Sequence, residues 1–222
     1  MNLFDYQRTS KAVGWRLLPV MLFFQAGHVL AEVPDSLSDV VPRVRIVDPI
    51  NEADQVTISG SRSSQLDSCI DKGHVDGNLI LKDMMLVLKS SPEQQAALDA
   101  FSTAQQTPGA PEYHRWLTTQ EFASHFGIAS QDMDTIKNYL IGKGFKIDQI
   151  AAGGRSIMFR GTAVQVKNAF HTDIHHYVCQ GEKHIANEID PQIPAALSDV
   201  VGGIINLNDF YSHSLVIKTY AQ

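Results

Sequence analysis

The side chains in this sequence with the chemistry for catalysis or metal binding are histidines, two cysteines and scattered serines and carboxylates. His171, His175, His176 and His184 fall close together, and imidazole is a common ligand for zinc and related ions. Ile174, His176 and Val178 alternate as strand residues do, so His175 and His176 point to opposite faces and cannot both reach one ion. No metal and no cofactor is expected. Ser156 lacks the Gly-x-Ser-x-Gly elbow that exposes a nucleophile, so no hydrolase triad is expected around it. Cys69 and Cys179 are too few for a thiolate cage. They form either one disulfide, if the chain is exported, or two buried thiols. Sequence spacing does not decide between these.

Tyr113, His114 and Trp116 make an aromatic group that could grip a ligand. Leu117 and Phe122 occupy the two positions of a hydrophobic staple around Thr118, which favours a packing role for the whole group. The formal charge of −6 repels nucleic-acid phosphate, and no basic patch offsets it. Phe159 sits between Met158 and Arg160, which is not the aromatic-rich pattern of an RNA-binding sheet. Nucleic acid is therefore excluded as a partner. Hydrophobic content of 44% and charged content of 19% are those of a globular chain.

Several elements must position these residues. Arg8, Lys11 and Arg16 precede the apolar run 17–24, and Val29-Leu30-Ala31 supplies small or apolar residues where a signal peptidase cuts. Gln25 and His28 break that run well short of the roughly 20 residues a spanning helix needs. Residues 1–31 are expected to be a signal peptide, and the mature chain to be secreted or periplasmic with no membrane contact. Residues 32–78, polar and weakly periodic, read as an extended N-terminal arm with at most a short strand near 55–58.

From residue 79 the signals sharpen. Residues 84–89, a continuous apolar run from Met84 to Leu88 closed by Lys89, predict a buried strand. Capping boxes at Ser91/Gln94, Thr118/Glu121 and Thr162/Gln165 open three helices, and Met133, Ile136 and Leu140 mark another. Strands are expected at 145–147, 157–159 and 174–178, a short helix at 194–201 and a last strand near 204–207. The core order is strand, helices, strand, strand, helix, strand. That order predicts an α+β fold, a ferredoxin-like split βαβ with helices on one face of an antiparallel sheet. Residues 211–222 form a C-terminal tail.

Tyr113-His114-Arg115-Trp116-Leu117-Thr118, with Phe122 and Phe126-Gly127, resembles the opening signature of pro-kumamolisin activation domains. Phe159, Gly161-Thr162-Ala163, Val166, Phe170, Thr172, His175 and Tyr177 continue the likeness, and Asn187 and Asp190-Pro191 follow in order. The resemblance covers residues 79–210. It implies a propeptide of a sedolisin-type serine endopeptidase, one that assists folding, blocks the active site and is released in acid. The departures are equally plain. No Glu is followed four residues later by Asp, and Gly161-Thr162 leads to Ala163 where that family's nucleophile segment has serine. The chain is not expected to be an enzyme by itself. Its catalytic domain is expected to be absent from the chain, acting in trans or lost by truncation. The alternative is a free-standing exported binding module that kept the fold without a protease.

Overall fold

The computed structural model describes residues 37–210; the expected signal peptide and C-terminal tail lie outside the described residues. The first elements are β1 (Gln55–Thr57), a 3-10 turn (Ser64–Ser68), β2 (Ile70–His74) and β3 (Ile80–Leu88). Three helices follow: α1 (Pro92–Gln106), α2 (Thr119–Phe126) and α3 (Ser130–Gly142). Then come β4 (Lys146–Ile150), β5 (Ser156–Thr162), α4 (Ala163–Phe170), β6 (Ile174–Cys179) and β7 (Glu182–Asn187). The last strands are β8 (Gln192–Pro194) and β9 (Val201–Ile205). The fold is α+β, with antiparallel pairing throughout the described sheets.

Local chemistry sets the helix starts. Ser91, Thr118 and Thr162 each cap a helix while the Gln or Glu three residues on returns a bond to the cap backbone. Each box satisfies two N–H groups that the helix start leaves without partners. The helix expected at 194–201 is only a 3-10 turn, Ala195–Leu197.

The main sheet runs in the order β4-β5-β3-β9. Here one expectation needs correction: residues 174–178 are not its fourth strand. β6 turns tightly through Gln180 and Gly181, both at positive φ, into β7, and its other edge pairs with β2. Both edges of β6 are thus occupied. β9 takes the place beside β3 instead, pairing Ile204 with Leu86 and Ile205 with Met85.

One face of the main sheet is covered. Met84, Leu86, Leu88, Ile157, Phe159 and Ile204 are all nearly inaccessible and meet Ile136 and Leu140 of α3 and Val166 and Phe170 of α4. Phe145, Phe159 and Phe170 pack ring to ring inside this layer. Gly161 is required beside them, because a Cβ there would lie 2.4 Å from the Phe145 ring. A second small core joins Phe101 of α1 and Phe126 of α2 to Leu37.

The N-terminal arm also differs from its reading. Beyond β1 it carries β2, and it is sewn to the body along its described length. Leu37, Ile46, Ile58, Leu66 and Val75 are buried. The fully buried carboxylate of Asp132 accepts the N–H groups of Arg45 and Ile46 at 2.9 and 3.0 Å. Arg45 donates in turn to the carbonyls of Lys89 and Asp199, both at 2.7 Å. Asp190 accepts the N–H groups of Gly60, Ser61 and Arg62. A disulfide joins Cys69 to Cys179 across β2 and β6, closing 110 residues of sequence separation.

Burying one large aliphatic side chain contributes about 1.5–3 kcal/mol, and a domain's whole stability is about 5–15 kcal/mol. Five such side chains are a large gross contribution beside so small a net margin, from which the cost of ordering the arm is already subtracted. A fragment of residues 37–210 should unfold in one cooperative transition by circular dichroism, and a fragment starting at residue 79 should not. A cooperative melt of the shorter fragment at a similar midpoint would show that the arm is dispensable.

Candidate functional site

The residues singled out from sequence do not converge on one reactive centre. Phe159, Phe170 and Phe126 are core, and Thr162 caps α4. Gly127 ends α2, where a Cβ would lie 2.4 Å from the carbonyl oxygen of Ala123. Tyr177 is buried with Leu66 and Ala186 beneath the disulfide. Asn187 is fully buried and donates to the Ile189 carbonyl at 2.9 Å. Asp190 and Pro191 hold the arm, the latter by accepting the N–H of Ile58 at 2.8 Å. These positions build the fold.

The group at 113–117 splits in two. Leu117 and Phe122 do pack against the Leu37, Phe101 and Phe126 core. Trp116 does not, being 79% exposed, and Tyr113 is 41% exposed with its ring stacked on His114. Packing on the neighbouring helix is thus the work of Leu117, and the expectation that the aromatic group anchors the loop is corrected for Trp116.

The uncovered face of the main sheet is a feature that sequence reasoning did not locate. Strand register places Gln149, Met158, Met85 and Ile205 in one row across the sheet, and Ser156, Val87 and Gly203 in the next. Residues in register share a face. Met85, Val87 and Met158 are half-buried and Ile205 is 45% exposed. The signal was present in the continuous apolar run 84–88. A strand apolar on both faces belongs in a sheet covered on both faces, yet among the described residues helices cover only one.

The titratable groups gather elsewhere, on the three-stranded sheet. His175 is buried and its Nδ1 donates to the Asp71 carboxylate at 2.8 Å, while Glu188 lies 3.8 Å from Nε2. His74 meets His175 edge to face and sits 3.7 Å from Asp173, which also pairs with Lys167. His176 is exposed on the opposite face, as the alternation required. His184 lies further along, bonded through Nδ1 to Asp209 at 3.0 Å and stacked on Phe210. Among the described residues no group of three or more His, Cys, Asp or Glu side chains is placed to hold a metal ion.

The family model described as "Pro-kumamolisin, activation domain" matches residues 67–210. The chain belongs to this family. The match begins twelve residues before the boundary expected at 79, and so takes in Cys69 and β2. Among curated proteins the chain is 29% identical over 113 residues to xanthomonalisin of Xanthomonas sp. (strain T-22), covering 51% of this chain and 14% of that protein. It is 25% identical over 124 residues to sedolisin of Pseudomonas sp. (strain 101), covering 56% and 21%. Aorsin of Aspergillus oryzae is 28% identical over 108 residues, covering 46% and 16%. The matched region is thus a fifth or less of two of these relatives and about a fifth of the third.

For this activation-domain chain, the His175 cluster makes a titration testable. Asp71 is held below the ordinary carboxyl value of 3.8, first by the N–H of Gly73 and then by His175. A depressed folded pKa contributes stability that is present above the unfolded value and lost as pH falls through the folded one. Carboxyl carbon NMR should place the Asp71 midpoint below 3.8, and His175→Ala should raise it only part of the way because Gly73 remains. A midpoint at or above 3.8 in the unsubstituted chain would contradict this account.

Proposed function

We propose that this chain is the propeptide of a sedolisin-type serine endopeptidase, and that it acts by laying the uncovered face of its main sheet on the catalytic domain. In that position it assists folding of the peptidase and blocks it near neutral pH, and it is released in acid. The chain itself is not an enzyme. Family membership supports the propeptide role. The observation that carries the docking face is the Met85, Val87, Met158 and Ile205 patch on a sheet whose central strand is apolar on both sides.

Surface complementarity, not bond chemistry, is the work such a face can do. Burying it removes apolar area from water, at about 25 cal/mol per Å², and seats four antiparallel strands against a partner without using any nucleophile. Export fits the same reading. The cross-linked Cys69–Cys179 pair belongs to an oxidising compartment, which residues 1–31 would reach as a signal peptide.

Inhibition of a sedolisin-type peptidase after preincubation near neutral pH, followed by a pH drop, tests the proposal. The unsubstituted chain should inhibit at neutral pH and release activity in acid. Met158→Glu buries an unpaired charge at the centre of the face, a change costing about 3–5 kcal/mol, so it should weaken inhibition roughly 100-fold or more. No inhibition by the unsubstituted chain would favour the free-standing binding module. Equal inhibition by the Met158 variant would move the docking site off the sheet.

A further inference from the structure

We propose that Trp116 is a second anchor for the same catalytic domain, an indole presented on a fixed loop to enter an apolar pocket of the peptidase apart from the sheet contact. This inference rests on the propeptide reading above. Trp116 lies between α1 and α2 and is 79% exposed. A large aromatic side chain is costly to leave in water, and exposed Trp is among the types most enriched at binding hot spots.

The loop around it is held from both sides. His114 donates its N–H to the Gln105 carbonyl at 3.1 Å, and the Gln105 amide donates to the carbonyl of Arg115. Tyr113 and Arg115 bond back to the carbonyls of Ala110 and Glu112 at 3.0 and 2.9 Å. The Arg115 guanidinium pairs with buried Glu112 at 2.9 Å and lies over the Phe101 ring at 5.9 Å. Leu117 then enters the Phe101 core and Thr118 is locked in its capping box. His114 adopts φ +60°, a left-handed conformation that a residue with a Cβ holds only when its surroundings fix it.

The ring of Phe101 is met by the Arg115 guanidinium, not by the indole. The loop is therefore ordered by contacts that leave Trp116 out. A rigid aromatic loses little freedom on binding, which is how preorganised contacts gain affinity. Tyr113, three residues earlier and 41% exposed, extends the same feature.

The catalytic domain is the occupant because the sheet alone is small. A stable protein–protein interface takes about 800 Å² and roughly 20–30 residues from each partner, whereas the two open rows of the sheet comprise Gln149, Met158, Met85, Ile205, Ser156, Val87 and Gly203. A tight complex needs contact beyond that face. The relatives carry about four-fifths or more of their length outside the matched region, a body of ample size to reach a second point.

The test uses the full chain labelled with 5-fluorotryptophan, whose two tryptophans are Trp15 and Trp116. Trp116→Phe assigns the Trp116 fluorine line. On adding a sedolisin-type catalytic domain that line should shift and lose its solvent isotope effect. Trp116→Ala should keep the unfolding midpoint and weaken inhibition roughly 30-fold or more, chiefly through faster dissociation. If the unsubstituted chain binds, Met158→Glu fails to bind and Trp116→Ala binds as tightly as the parent, the propeptide reading stands and this inference falls. A Trp116 line that shifts with chain concentration alone, without peptidase, would assign the indole to a second copy and also overturn it. If the unsubstituted chain binds no such catalytic domain, both readings fail together.

Discussion

From Met84 to Leu88 β3 is apolar on both sides, and the described helices answer only one of them. Met84, Leu86 and Leu88 face α3 and α4, while Met85 and Val87 face outward between β5 and β9. A central strand with this pattern makes the domain half of a sandwich. α3 and α4, the aromatic layer of Phe145, Phe159 and Phe170, and the glycine at 161 that gives the ring room all serve the covered side. Among the described residues the other side has no comparable packing layer, which is why function is assigned to it.

A half-covered sheet loses part of the burial that ordinarily stabilises a domain, and the N-terminal arm compensates for that loss. It brings apolar side chains into three separate cores and is tied by a disulfide from Cys69, just before β2, to Cys179 at the end of β6. Its backbone polar groups are satisfied by two carboxylates, Asp132 and Asp190, rather than by long strands. The fully buried Asp132 carboxylate is a strong acceptor for its two N–H groups, and leaving a buried donor unpaired there would cost about 1–3 kcal/mol. The arm can therefore wrap the body with little regular structure of its own.

What was legible in the sequence was local. Ser91, Thr118 and Thr162 announce their helices because cap and partner lie three residues apart, and the structure forms all three boxes. The pairing of β6 was not legible, since its alternation suits any sheet and only the tight turn at Gln180-Gly181, with β2 beyond it, fixes which one. Asp132 reads as an ordinary acidic residue in a helix's first turn. Nothing near it in sequence reveals that Arg45 and Ile46, 87 and 86 residues away, donate to it. Trp116 shows the same limit from the other side. Residue type suggests packing, and only the placement of Arg115 over Phe101 shows that the indole is left outside.

Met84 and Met85 are adjacent in sequence and opposite in the sheet, so together they report on both faces at once. Methyl NMR of the methionines with a soluble paramagnetic agent, without and with a sedolisin-type catalytic domain, is the most direct measurement of the docking face. In the isolated chain the Met85 and Met158 methyls should broaden strongly while Met84 stays sharp. In the complex Met85 and Met158 should become protected to the level of Met84. Met85 and Met158 methyls that stay equally accessible in a saturated complex would contradict the claim that the uncovered sheet face is where the peptidase binds.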